Sequence, residues 1–276
     1  MTTTSETAEL SPELLAKESR LRNLLQRYGS IAVAYSGGVD SSYLAEIAHE
    51  ALGDDAQLVL ADSPSIPRSE VADAAALADS RGWRLHVVHT DEFDREGYVS
   101  NDGQRCYFCK TALFEQMRAF ARENGVKVLA YGAIVDDMAD PTRLGHVAAQ
   151  EHRVVAPLQE ADLSKEEIRQ LSAQRGLPTA SKASFACLAS RIPKGTPVSA
   201  EILAKVEQAE EALRAHGFYQ FRARHHGDIC RIEIDPADMA KLLDPATRNT
   251  LVDAVRKAGY RYVTLDLAGY RTGSTA

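Results

Sequence analysis

Ile31-Ala-Val-Ala-Tyr35-Ser36-Gly37-Gly38-Val39-Asp40-Ser41-Ser42 is the stretch on which the fold turns. Its first five residues, bounded by Gly29 and by Ser-Gly-Gly, have the continuous apolar pattern of a buried parallel strand. A helix is expected from about Asp40 to Leu52. Between them, Gly37 and Gly38 allow positive backbone torsions and close approach of an anion. The amides at the helix start carry partial positive charge and can hold phosphate oxygens. Ser36, Ser41 and Ser42 add hydroxyl donors. No Gly-Lys-Ser/Thr follows, so this is not the common nucleotide loop. The alternative is a plain Gly-Gly turn with an Asp helix cap, and the strand and helix flanking the loop argue against it.

Outward from this loop the pattern alternates. Residues 11 to 29 read as a helix opened by Ser-Pro, 57 to 61 as a strand, 69 to 81 as a helix and 83 to 88 as a strand. A helix from about Phe108, a strand from Val126 to Tyr131 and a helix from Ser164 to Arg175 follow. Strands alternating with helices predict an α/β fold with a doubly wound parallel sheet. Ligands of such sheets sit beyond the carboxyl ends of the strands, where Ser36, Asp62, Ser63 and Gly132 are expected. After about Pro197 the rhythm changes. A helix from Ala200 to His216, strands 219–225 and 229–235 around His226-Gly227-Asp228, and a last strand 260–266 predict a second, smaller α+β domain.

The 276 residues leave room for a substantial core, and 45% hydrophobic with 26% charged residues is ordinary for a globular protein. A net charge of −7 argues against a global nucleic-acid surface. No apolar run approaches the ~18 residues of a membrane span, and the polar start MTTTSETAEL lacks the features of a signal peptide. A cytoplasmic location is the expectation. There, Cys106, Cys109, Cys187 and Cys230 are expected as free thiols, metal ligands or reactive cysteines, not as a disulfide framework. Cys106-x-x-Cys109 taken alone could be a redox pair, half a zinc site or chance. Cys230 shares strand parity with Ile232 and Ile234 and is expected in the core. By the same alternation Arg222 and Arg224 project to one side, with Arg231 and Glu233 on that face if the hairpin pairs. Such an arginine pair binds a phosphate bidentately or forms salt bridges on a solvated face.

Four further motifs accompany the loop: Arg105-Cys106-Tyr-Phe-Cys109-Lys110, the run from Lys182 to Thr196 containing Cys187, Ser190 and Arg191, the run from Phe221 to Glu233, and the end from Tyr262 to Gly273. The loop resembles that of the ATP pyrophosphatase (PP-loop) superfamily. All five together, over about residues 12 to 273, resemble the LarE family of sulfur transferases of nickel-pincer cofactor synthesis. The resemblance implies ATP and Mg²⁺ held by Ser36, Gly37, Gly38, Val39, Asp40, Ser41 and Ser42, with Asp62, Ser63 and Gly132 near the nucleoside. It implies adenylylation of pyridinium-3,5-biscarboxylic acid mononucleotide, whose phosphate falls to Arg222 and Arg224. It places Asp40, Cys187 and Arg191 in the catalytic machinery and links Glu210 and Glu233 with a metal. Two sulfur sources occur in the family, a sacrificed cysteine and a [4Fe-4S] cluster on three cysteines. Cys106, Cys109 and Cys187 match the second, supplied by a sulfide donor. A homo-oligomer is implied. The expected organisation is a tail at 1–11, an ATP-binding domain at 12–180, a connecting segment at 181–197 and a substrate-binding domain at 198–273. The chain departs from the family in having Ala180-Ser181-Lys182-Ala183 for a Trp-Asp-Lys-Pro run, and Lys194 for a Tyr. The loop alone also suits an ammonia-using synthetase, a tRNA thiolase or a nucleotide sensor.

Overall fold

Pro12–Tyr28 (α1) begins where the Ser11 hydroxyl accepts the Leu14 amide and stops at Gly29, whose φ of 74° ends the helix. In chain order there follow Ile31–Tyr35 (β1), Val39–Leu52 (α2), Ala56–Asp62 (β2), Arg68–Ser80 (α3), Arg84–His89 (β3), Glu96–Val99 (α4), Arg105–Asn124 (α5) and Val128–Tyr131 (β4). Then come Gly145–Glu151 (α6), Pro157–Glu160 (α7), Lys165–Gln174 (α8), Ala200–Ala215 (α9), Phe221–His226 (β5), Ile229–Ile234 (β6), Pro245–Lys257 (α10) and Tyr262–Leu265 (β7). The computed structural model describes residues 10–139, 144–183 and 186–271. Residues 1–9 of the expected tail, and Ser184, Phe185, Thr272 and Gly273 of the motifs, lie outside the described residues.

The chain divides into two units. The first comprises residues 1–63, 68–92 and 106–185, and the second 64–67, 93–105 and 186–276. The first holds a parallel sheet in the order β3-β2-β1-β4. β1 is buried along its whole length, and its side chains alternate between two cores. Ile31, Val33 and Tyr35 pack with α1, α2 and α3, whereas Ala32 and Ala34 face Phe114, Met117 and Phe120 of α5. Small residues on one face and large ones on the other let helices cover both, as a doubly wound sheet requires. The strand order reverses direction at β1, so the crevice beyond the ends of β1 and β4 is the switch point for a ligand. Among the described residues no helix is long and apolar enough to cross a membrane.

The second unit holds the sheet β5-β6-β7, in which β5 and β6 form an antiparallel hairpin across Gly227-Asp228 and β7 joins in parallel. Its core includes Leu213 of α9, Leu251 and Val255 of α10, Ile232, Ile234 and Cys230. Cys230 is buried as its parity predicts, and burial pushes its thiol up to about 12. His225 is buried against the Tyr260 hydroxyl at 3.2 Å. Its in-register partner is Cys230, which puts it on the inward face.

Pro64–Pro67 and Phe93–Arg105, which the sequence reading counts within the ATP-binding domain, group with the second unit. Hydrogen bonds hold them there. Leu188 N–H donates to the Ser65 carbonyl, Val198 N–H to the Val99 carbonyl, and the Asn101 amide to the carbonyls of Pro193 and Thr196. Helix α5 starts three residues earlier than its apolar periodicity predicts, so Cys106 and Cys109 lie inside its first turns, three residues apart on one face.

Candidate active site

The phosphate loop takes its shape from two glycines with different reasons. Gly37 has φ of 68°, and a Cβ there would stand 2.7 Å from the Ala74 Cβ. Gly38 has φ of −80° and serves as the N-cap of α2, so the positive torsion expected of both glycines belongs to Gly37 alone. At Gly38 the missing side chain matters: no cap hydrogen bond closes the first turn of α2. The amides of Val39, Asp40 and Ser41 have no intrahelical acceptor, which leaves a donor cradle at the positive end of the helix.

The serines are sorted by burial. Ser36 N–H donates to Ser41 Oγ at 3.2 Å, and the two hydroxyls lie 3.1 Å apart. Ser42 is fully buried and its amide already donates to the Gly38 carbonyl. The Ser42 hydroxyl, expected at the phosphates, lies in the first turn of α2 and is buried. Gly132 follows β4, and a Cβ on it would come within 3.1 Å of the Ser41 nitrogen. Its role is to let the end of β4 approach the loop.

Asp40 projects from the loop and pairs through Oδ2 with Lys165 Nζ, from the first residue of α8. Its other oxygen, Oδ1, is buried without a partner. Burial raises the Asp40 pKa, and Lys165 acts in the opposite direction. An acceptor-only oxygen left bare in a nucleotide loop fits a hard divalent cation. Lys182 approaches from the other side, donating to the Gly37 carbonyl at 3.1 Å and pairing with Glu70 at 2.6 Å. Arg169 fixes that segment by donating to the carbonyls of Ala180 and Lys182. At the ends of β2 and β3, Asp62 pairs with Arg68 and lies 3.6 Å from His89. Ser63 is buried with its hydroxyl bonded to Glu92. Sequence reading singled out neither Lys165 nor Glu70 and assigned Lys182 no role. The usable signal was Lys165 itself, a cation at a helix N-terminus, where the dipole disfavours it.

In the second unit the polar face of the hairpin carries the expected Arg222 and Arg224, and Arg224 and the neighbouring Arg191 are already engaged. Arg191 is fully buried and grips Glu210 with two bonds of 2.8 and 2.9 Å. The same guanidinium donates to the Cys187 carbonyl at 3.0 Å and to Ser190 Oγ at 2.9 Å. Arg224 grips Glu233 in the same way, at 3.0 and 2.9 Å, and donates to the Ser190 carbonyl at 3.1 Å. Glu210 also accepts the Ala223 amide, and Glu233 also pairs with Arg231. Bidentate pairing with buried carboxylates ties up the fork geometry a phosphate would need. Arg191, expected in catalysis, and Arg224, expected at the substrate phosphate, are here paired with carboxylates and donate to the Cys187–Ser190 segment. Glu210 and Glu233, which the resemblance links with a metal, each stand in a buried ion pair.

Arg222 differs. It stacks 4.9 Å over the Tyr270 ring and bonds to the Phe221 carbonyl, and among the described residues no carboxylate lies within ion-pair distance. Burial and the neighbouring Arg191 press its pKa below the ordinary value, the signature of a cation lacking a counter-charge.

The cysteines divide between the units. Cys106 and Cys109 belong to the first and Cys187 to the second. Among the described residues no group of three His, Cys, Asp or Glu side chains stands in position to hold a metal ion. The expected three-cysteine cluster site is therefore not assembled among the described residues.

An uncapped helix start behind a tight glycine turn, at the switch point of a parallel sheet, has the form of a phosphate-binding loop. The family model described as NAD synthase matches residues 14–121. A GMP synthase of Allorhizobium ampelinum is 28% identical over 168 residues, 54% of this chain and 32% of that protein. Other relatives match almost end to end. An uncharacterized protein of Synechocystis sp. is 38% identical over 93% of this chain and 96% of its own length. The pyridinium-3,5-bisthiocarboxylic acid mononucleotide synthase of Lactiplantibacillus plantarum is 32% identical over 94% of each chain. The chain belongs to the LarE family, ATP-dependent sulfur transferases of the phosphate-loop superfamily.

Proposed function

We propose that the protein adenylylates the two carboxyl groups of pyridinium-3,5-biscarboxylic acid mononucleotide and replaces each AMP with sulfur, giving the thiocarboxylates of the nickel-pincer cofactor. A carboxylate oxygen attacks the α-phosphorus of ATP and pyrophosphate leaves. Sulfur then attacks the acyl carbon, and the carbon–oxygen bond breaks with loss of AMP. The observation that carries the ATP half is the amide cradle of α2 beside the bare Asp40 Oδ1. The near full-length likeness to a synthase of the bisthiocarboxylic mononucleotide supports the substrate. Pyrophosphate release that depends on the biscarboxylate mononucleotide tests the reading. ATP binding without such release would leave only a sensor, and release on adding tRNA or ammonia in its place would favour the other activities the loop suits.

Arg222 is the proposed ligand of the substrate phosphate, because it is the polar-face arginine without an acid partner. Arg222→Ala is expected to raise the KM for the mononucleotide by ~10- to 100-fold, the worth of one charge-assisted contact of about 1.5–3 kcal/mol. The KM for ATP should stay near its original value. Equal loss of both would remove this assignment.

Two sources of sulfur are proposed. Three thiolates, Cys106, Cys109 and Cys187, are the right donor set for a [4Fe-4S] cluster with one open iron, which would bind sulfide from an external donor. The second source is Cys187 itself, a free cysteine on the segment that Arg191 holds. In that case its sulfur leaves with the product, the Cα proton is lost and dehydroalanine remains. Anaerobic reconstitution decides. A brown protein binding about four iron and four sulfide, and losing both in each Cys→Ala variant, supports the cluster. A colourless, iron-free protein that drops by one H₂S in mass at residue 187 after a single turnover supports Cys187.

A further inference from the structure

Lys165 occupies a position that helix energetics disfavour. It is the first residue of α8, where the positive end of the helix repels a cation, while Glu166 and Glu167 beside it obey the rule. Its backbone amide is held by Asp136 Oδ2 at 2.9 Å, so the stem is fixed and the ammonium is not. Nζ pairs with Asp40 Oδ2, and its side chain stays 37% exposed against 23% for Asp40, open enough to water for partners to exchange. The second oxygen of the same carboxylate is buried and bare. Lys182, on the other side of the loop, is held differently, by Glu70 and by the Gly37 carbonyl together.

We propose that Lys165 is a tethered place-holder for the divalent cation that accompanies ATP: it neutralises Asp40 until the metal arrives, then carries its charge to the nucleotide phosphates. The inference rests on the ATP-loop reading of this site. A divalent ion on Oδ1 and an ammonium on Oδ2 repel each other across one carboxylate, so binding of the first releases the second. A four-carbon stem lets the released ammonium swing to a phosphate as a mobile point charge. The charge of the loop is thereby balanced both with and without nucleotide. Lys182 keeps its carboxylate partner and acts as a fixed cation under the Gly37 turn.

The test uses the full chain with Mn²⁺ as a spin-active ion. Without nucleotide, Lys165→Met is expected to bind Mn²⁺ several-fold more tightly than the unsubstituted protein, because a competitor is gone. At saturating Mg²⁺ the same variant should bind ATP ~10-fold more weakly, a loss of about 1.4 kcal/mol. Lys165→Arg should return both values toward the original, and Asp40→Asn should abolish the Mn²⁺ site. Lys182→Met should weaken ATP binding and leave the Mn²⁺ midpoint in place. An unchanged or weakened Mn²⁺ affinity in Lys165→Met overturns the place-holder role, whatever happens to ATP. So does an equal Mn²⁺ shift in Lys182→Met, which would mark a diffuse charge effect. An unsubstituted protein that binds Mn²⁺ and no ATP would overturn the loop reading and the charge transfer together. None of these readouts requires the carboxylate substrate, so they are independent of the sulfur-transfer reading.

Discussion

Gly37→Ala is expected to abolish ATP binding and to lower unfolding stability by about 2–5 kcal/mol, the sum of a left-handed backbone penalty of ~1–2 and an overpacking penalty of ~1–3. The torsion at Gly37 is 68°, a region L-residues enter at a cost, and the added methyl would stand 2.7 Å from the Ala74 Cβ and 3.2 Å from its Cα. Ala74 is buried within α3 and has nowhere to retreat. Relief must come from the loop, which carries the amides of α2 out of register with the phosphates. Gly38→Ala is the contrast. With φ of −80° and the nearest atom, Ser36 Oγ, at 3.4 Å, its methyl fits, and stability should change by less than about 0.5 kcal/mol. Urea unfolding and equilibrium dialysis with ATP measure both variants. Adding Ala74→Gly to Gly37→Ala should recover part of the stability by removing the clash, while the backbone penalty persists. Equal behaviour of the two glycine variants would contradict the assignment of different roles.

This asymmetry was not legible in the sequence, where Gly37 and Gly38 are equivalent letters. What the sequence did carry was local pattern. A five-residue apolar run, a Ser-Pro helix start and the two-residue alternation of the hairpin each report on neighbours a few positions away, and β1, α1 and the β5–β6 register follow from them. Partners far along the chain leave no such trace. Lys165 is 125 residues from Asp40, and Lys182 is 145 from Gly37. The arginines fall between these cases. Strand parity put Arg222, Arg224, Arg231 and Glu233 on one face, and that face exists. Parity could not tell which guanidinium a carboxylate had already claimed. Glu210 enters from α9, outside the strand pattern altogether, and it holds Arg191 in a buried ion pair.

Arg191→Met tests that anchor and should destabilise the protein by about 3–5 kcal/mol, the cost of leaving a buried carboxylate without its partner. Glu210 is almost completely enclosed, and both of its oxygens are held by Arg191. Removing the guanidinium alone strands a charge that water cannot reach. Removing the charge as well should repair most of the loss. Arg191→Met with Glu210→Gln keeps an amide oxygen for the Ala223 N–H, so no backbone donor is orphaned, and the remaining deficit should be about 1–2 kcal/mol. Stability and function should then part company. In both variants the Cys187 carbonyl and Ser190 Oγ lose the guanidinium donor, and the Cys187 carbonyl keeps only the Ser190 N–H. The Cys187 thiol should react faster with a thiol-labelling reagent, and turnover should stay low even where the fold is restored. Arg191→Lys supplies a charge without the fork; it should keep Glu210 neutralised yet release the cysteine segment. Chemical unfolding, labelling rates and turnover together separate the two functions of one side chain. A double variant as unstable as Arg191→Met, or one with full turnover, would show that the ion pair neither strands a charge when broken nor positions Cys187.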